Sequence, residues 1–112
     1  MMVTLLLILC GSLAPVGNDV EKAATEADYY EALTVAVPSD IILEVGGLEV
    51  GPEAGVVYAS TRRGDIWKIE DAYGAEPRFT LFSDGLQEPL GLLWKDGWLH
   101  TVQRGELSRL RD

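Results

Sequence analysis

An internal repeat is the feature of this 112-residue chain that most limits what it can fold into. The segment Gly55-Val-Val-Tyr-Ala-Ser-Thr-Arg-Arg-Gly-Asp-Ile-Trp-Lys-Ile-Glu-Asp71 aligns with Gly97-Trp-Leu-His-Thr-Val-Gln-Arg-Gly-Glu-Leu-Ser-Arg-Leu-Arg-Asp112, the second copy being one residue shorter. Arg63 then matches Arg104, Gly64 matches Gly105, Asp65 matches Glu106, Ile66 matches Leu107, Lys68 matches Arg109 and Ile69 matches Leu110. Upstream, Gly47-Leu48 matches Gly91-Leu92. Identity falls on turn residues and conservative pairs fall on strand positions, so two copies of one hairpin-based unit account for the pattern better than chance does.

After Pro38 the chain consists of short β-branched and aromatic runs separated by turn chemistry. The runs predict strands at Ile41–Val45, Gly47–Val50, Val56–Ser60, Asp65–Glu70, Arg78–Phe82, Leu90–Trp94, Trp98–Val102 and Glu106–Leu110. The separators include Gly51-Pro52-Glu53-Ala54-Gly55, Arg63-Gly64, Ser83-Asp84-Gly85 and Lys95-Asp96-Gly97. Asp-Gly in the last tolerates positive φ at both central positions and predicts a tight hairpin. A period of 41 residues, read from Gly64 to Gly105, with four short strands per unit, is the period of β-propeller blades. Val56-Val57-Tyr58-Ala59 and Trp98-Leu99 are apolar on both faces, as strands covered on both sides would be. The expected fold class is therefore all-β: a partial β-propeller of about two four-stranded antiparallel blades over residues 38–112, the second incomplete and the chain truncated.

The residues before Pro38 read differently. Met1–Leu13 is uncharged and too short to cross a bilayer core, which takes about 20 residues. With small residues Ser12 and Ala14 following, residues 1–17 read as a signal peptide, cleaved somewhere within 14–24, and the protein as secreted or periplasmic. A buried N-terminal strand or helix is the competing reading, and lipid anchoring at Cys10 is disfavoured by the bulk of Leu9. Residues 18–37 are acidic and polar and suit a linker or short helix. Eighteen acidic residues against nine basic ones give a net charge of −9, all after Asn18. Such a surface lacks the clustered Lys and Arg that nucleic acid or an anionic membrane requires. The lone cysteine, Cys10, permits neither an internal disulfide nor a thiolate metal cluster.

The runs Tyr58–Trp67, Phe82-Ser-Asp-Gly-Leu-Gln-Glu-Pro-Leu-Gly-Leu92 and Val102-Gln-Arg-Gly-Glu-Leu-Ser-Arg-Leu110 resemble the N-terminal blades of secreted bacterial propellers related to soluble PQQ-dependent sugar dehydrogenases, the glucose/sorbosone dehydrogenase type. The resemblance runs from about Pro38 to the end. It implies a six-bladed propeller, a calcium-supported PQQ site in the central channel, and oxidation of a sugar or alcohol, often beside a haem domain. It places the cofactor residues in later blades, outside this chain. Gln87 falls near the family's substrate-facing glutamine, and Glu88 shares its loop. On this reading the chain is a fragment inactive alone. The rival is a non-catalytic propeller module that binds polysaccharide or protein.

Other candidates read as structural. His100, the only histidine, stands mid-strand with no companion ligand and suits packing. Arg63-Gly64-Asp65 spells an attachment tripeptide, but Arg-Gly-acid recurs at 104–106, which points to turn geometry. Arg62, Arg63 and Arg104 could face the channel and grip an anion, or pair with neighbouring acids at strand ends. Trp67, Trp94, Trp98 and Tyr58 read as packing groups before they read as a sugar platform.

Overall fold

The computed structural model describes residues 22–112; the expected signal peptide and Cys10 lie outside the described residues. The chain divides into two units, the first ending at Glu31 and the second running over Ala32–Asp112. In the described part of the first, a single 3₁₀ turn spans Glu26–Asp28. The Asp28 carboxylate accepts hydrogen bonds from the Thr25 backbone N–H at 2.7 Å and the Thr25 hydroxyl at 2.9 Å. Those two donors hold the Asp28 carboxyl below its ordinary range, the backbone bond contributing most.

The second unit is all-β. Strands β1 (Val45–Val50), β2 (Val57–Thr61), β3 (Ile66–Glu70) and β4 (Arg78–Ser83) form one sheet, and β5 (Leu90–Lys95), β6 (Trp98–Gln103) and β7 (Glu106–Leu110) form another. Both are antiparallel meanders in chain order. The β5–β6 connection is the two-residue Asp96-Gly97 turn, with φ of 52° and 77°, as a type I′ hairpin demands.

One expected strand is absent. Residues 41–44 carry no strand, and β1 instead runs from Val45 through Gly46 and Gly47 to Val50. The chain leaves a turn at Pro38, where the Ile41 N–H bonds the Pro38 carbonyl at 3.1 Å. Leu43 then turns onto the Ala59 and Ile69 side chains, and the backbone reaches the β2–β3 turn only through the Arg62 N–H to Glu44 carbonyl bond at 2.8 Å. Burying Leu43 across the sheet competes with extending the edge.

The sheets stack face to face. From the first come Tyr58, Ile66 and Phe82; from the second come Leu92, Trp94, Leu99 and Leu110. Ile66 and Leu99 are fully buried. Tyr58 stacks on Trp94 with ring centroids 5.1 Å apart and meets Phe82 edge-on at 5.2 Å. Each such large side chain removed from water contributes about 1.5–3 kcal/mol. The far face of the first sheet carries Ala59 and Ile69, partly covered by Val35 and Leu43.

Two glycine positions set how closely the sheets approach. A Cβ on Gly47 would lie 2.7 Å from the Gly91 Cα, and one on Gly46 would lie 2.6 Å from the Pro89 carbonyl oxygen. The leading strands β1 and β5 therefore touch backbone to backbone. Register shifts fall at Gly46 in β1 and Gly91 in β5, so each sheet begins with a bulged strand. Polar contacts stitch the same seam. The Trp94 N–H donates to Glu49 Oε1 at 3.0 Å, and the buried Ser60 hydroxyl donates to the Pro89 carbonyl at 3.2 Å.

Candidate functional site

The loop 84–89 leaves β4, crosses the β2–β3 turn, and enters β5 beside the β6–β7 turn. Its anchors are backbone bonds: the Leu86 N–H to the Gly64 carbonyl at 3.1 Å and the Arg104 N–H to the Gln87 carbonyl at 2.9 Å. Gly64, at φ 105°, lies directly under the Leu86 carbonyl, which leaves no room for a side chain. The Arg63-Gly64-Asp65 tripeptide thus has its glycine buried beneath the loop, and its geometry is that of a hairpin turn.

Between the loop and the β6–β7 turn lies a polar hollow of about 290 Å³, lined by Leu86, Gln87, Gln103, Arg104 and Glu106 with Gly85 and Gly105. Gln103 organises it. Its Oε1 accepts from the Gln87 backbone N–H at 2.7 Å, while its Nε2 donates to Glu106 Oε1 at 2.8 Å and to Ser108 Oγ at 2.7 Å. The Ser108 hydroxyl in turn donates to Glu106 Oε1 at 2.6 Å. Arg104 Nη2 pairs with Glu88 Oε2 at 2.6 Å on the rim. Glu88 sits at φ 47°, a left-handed conformation that costs a non-glycine residue about 1–2 kcal/mol.

Gln87, Glu88 and Arg104, separated by up to 17 positions in sequence, are thus brought together at one end of the second sheet. Gln87 enters the network through its backbone, and its carboxamide is on an exposed residue. Gln103, Glu106 and Ser108 escaped sequence reasoning. The repeat held the clue: Gln103 occupies the position of Thr61, whose short hydroxyl serves only its own hairpin by accepting the Asp65 N–H at 3.1 Å. A longer amide at that position reaches the crossing loop.

The arrangement offers amide donors and acceptors, a carboxylate and a neutralised guanidinium around an open hollow. That chemistry complements hydroxyl-rich neutral molecules. It does not fit PQQ or calcium. Arg104, the cation of this hollow, is already engaged by Glu88, and among the described residues no three of His, Cys, Asp and Glu stand close enough to share a metal ion.

The remaining candidates lie elsewhere. His100 is on the outer face of the second sheet, its Nδ1 3.4 Å from the Leu93 carbonyl. Arg62 and Arg63 are exposed on the β2–β3 turn and make no ion pair among the described residues. The four large aromatics share no platform: Tyr58 and Trp94 are spent between the sheets, and Trp98 carries the Arg109 and Arg111 guanidinium groups, each 4.6 Å from its ring. No helix among the described residues is long and apolar enough to cross a membrane.

Fold and site together define a chain of two stacked antiparallel meanders with a polar hollow at one loop end. Comparison of the chain with protein-family models, with curated proteins and with solved structures gives no match.

Proposed function

We propose that this chain forms two consecutive blades of an exported β-propeller of the PQQ-dependent sugar dehydrogenase type, supplying scaffold and part of the sugar-contacting surface while the cofactor is held by other blades. The observation that carries the blade reading is the conduct of the repeat in three dimensions. Val57 and Ala59 point to the outer face of their sheet, and their counterparts Leu99 and Thr101 point to the matching face of theirs, against the first sheet. Ile69 and Leu110 behave the same way. This matching of faces supports reading the two sheets as successive blades, the first strand of each lying nearest the other at Gly47 and Gly91.

Support for a sugar at the hollow comes from the Gln87–Gln103–Arg104 cluster, whose hydrogen-bonding groups suit hydroxyls. The test is a titration of isotope-labelled full chain with glucose and with a neutral polyol, followed by amide chemical shifts. Saturable shifts confined to 85–88 and 103–106 are expected. Shifts elsewhere, or none up to ligand solubility, would refute a sugar-facing role for the hollow.

The non-catalytic module is a second reading, favoured by the pairing of Arg104 with Glu88 and of the Glu106 carboxylate with Gln103 and Ser108. A protein joining this chain to the further blades that would hold PQQ and calcium separates the two: sugar-dependent dye reduction supports the dehydrogenase type, and sugar binding with no dye reduction supports the module. Export is tested by the mass of the mature N terminus, expected to begin within 14–24.

A further inference from the structure

Two Asp-Gly pairs stand in the sequence, Asp84-Gly85 and Asp96-Gly97, and the fold treats them differently. An aspartate followed by glycine can close a five-membered ring on itself, because no side chain on the next residue keeps its backbone nitrogen away from the carboxyl carbon. The aspartate must turn about its Cα–C bond for the two atoms to meet. At Asp96 that rotation is blocked. Asp96 and Gly97 are the two central residues of the β5–β6 hairpin, at φ of 52° and 77°, and the Lys95–Trp98 pair closes the ladder directly behind them. A type I′ turn fixes the dihedral angles of both central residues, so ring closure there requires the hairpin to open first.

Asp84 meets no such block. Strand β4 ends at Ser83 and pairs on one side only, with β3. Asp84 and Gly85 belong to no strand or turn, and both are exposed. Among the described residues the Gly85 N–H makes no backbone hydrogen bond, and Asp84 makes no ion pair. Open space surrounds Gly85, where a Cβ would meet nothing within 4 Å. Gly85 also lines the polar hollow. We propose that Asp84-Gly85 is a self-modification site at the lip of that hollow, where aspartate converts to isoaspartate without an enzyme and reshapes the wall.

The Gly85 nitrogen attacks Cγ of the Asp84 carboxylic acid. The N–Cγ bond forms, the Cγ–OH bond breaks, and the nitrogen's proton leaves with the hydroxyl as water. Water then adds back to the cyclic imide. Addition at Cγ restores aspartate, whereas addition at the Asp84 main-chain carbonyl carbon breaks its bond to the Gly85 nitrogen and leaves the chain running through Cγ. One water is lost and one regained, and nothing is oxidised or reduced. The product has one more main-chain carbon between Ser83 and Leu86, and both of those residues are held: Ser83 pairs with Ile66, and the Leu86 N–H bonds the Gly64 carbonyl at 3.1 Å. The added length must bulge the linkage or lift Leu86 from Gly64. A lifted Leu86 also moves the neighbouring Gln87 carbonyl, which accepts from the Arg104 N–H at 2.9 Å. What the hollow binds plays no part, because every readout below is taken without ligand.

The full chain is held at physiological temperature beside the same chain in concentrated urea, until the urea sample shows isoaspartate at both pairs. Proteolysis and separation of the equal-mass peptides then quantify each site. In the folded chain, conversion at Asp84 should exceed that at Asp96 at least tenfold, the factor that a hairpin opening of about 1.4 kcal/mol imposes, and in urea the two should converge. Asp84→Glu, whose ring would need six members, should lose the product at this position while keeping the fold's amide spectrum. In a converted sample the amide signals of Leu86 and Arg104 should move, and those of Asp96 and Trp98 should stay. Three results would overturn the inference: folded Asp84 converting no faster than Asp96, a tenfold ratio that persists in urea, or Leu86 and Arg104 signals that stay in place after conversion.

Discussion

Replacing Gly47 by Ala tests the seam on which both sheets depend. The added methyl would sit 2.7 Å from the Gly91 Cα and equally close to the Gly91 N. Both are backbone atoms, so no side chain can swing aside. Restoring ordinary contact takes a separation of roughly 0.7 Å or more between β1 and β5, of the kind that costs about 1–3 kcal/mol in a packed core. The same movement strains the Glu49–Trp94 bond at 3.0 Å and the Ser60–Pro89 bond at 3.2 Å, each worth about 1 kcal/mol. Against this, Ala stiffens the unfolded chain and returns about 0.4–1 kcal/mol. The expected net loss is about 2 kcal/mol, which lowers Tm by roughly 8–16 °C for a domain of this size. Urea unfolding followed by tryptophan fluorescence reads it directly, since Trp94 lies in the seam. Gly91→Ala supplies the contrast: its Cβ would meet nothing within 4 Å, and its cost of about 1 kcal/mol comes only from φ of 65°. A Gly47→Ala protein within about 0.5 kcal/mol of wild type would refute the close packing of the sheets.

Ile66→Ala should cost about 2–5 kcal/mol by leaving a cavity, whereas Leu107→Ala at the matching, exposed position should change stability by under about 0.5 kcal/mol; chemical denaturation compares them. Arg104→Ala removes an exposed pair and should alter stability by less than about 1 kcal/mol, while abolishing any sugar-induced shifts at 103–106. At high pH the sheets should loosen: burial pushes the Tyr58 phenol above its ordinary value, and the Glu53 hydrogen bond raises the Lys68 ammonium. Stability tied to a raised pKa is complete below the unfolded value and is lost as pH climbs through the folded one, so the urea midpoint should start to fall above about pH 10. A midpoint that stays flat through that window, with phenolate absorbance rising in full, would refute both assignments.

How much was legible in the sequence depended on whether a signal was local. Asp96-Gly97 announced its hairpin because the turn is decided by two residues' φ values. The seven strands followed from runs of β-branched and aromatic residues bounded by such turns. The expected strand Ile41–Val45 misled over residues 41–44 because its composition suits a strand equally well when it lies across a sheet as when it joins one. The site was half legible. Gln87, Glu88 and Arg104 stood in quotable motifs, but that Gln103 would span from the β6–β7 turn to the crossing loop depends on how two sheets sit together. Gly47 and Gly91 illustrate the limit well. They occupy the same place in the repeat, yet one is glycine for want of space and the other for its dihedral angle.

The meander order of both sheets bears on how the chain acquires its structure. Every strand pairs with its sequence neighbour, so each sheet can zip up through short loop closures, which are fast. The seam at Gly47 and Gly91 joins residues 44 positions apart and must wait for both bulged strands and for Leu86 to settle over Gly64. Substitutions within a hairpin should therefore slow refolding. Those in the seam should chiefly hasten unfolding, making the backbone contact between the sheets the latch that sets the lifetime of the folded chain.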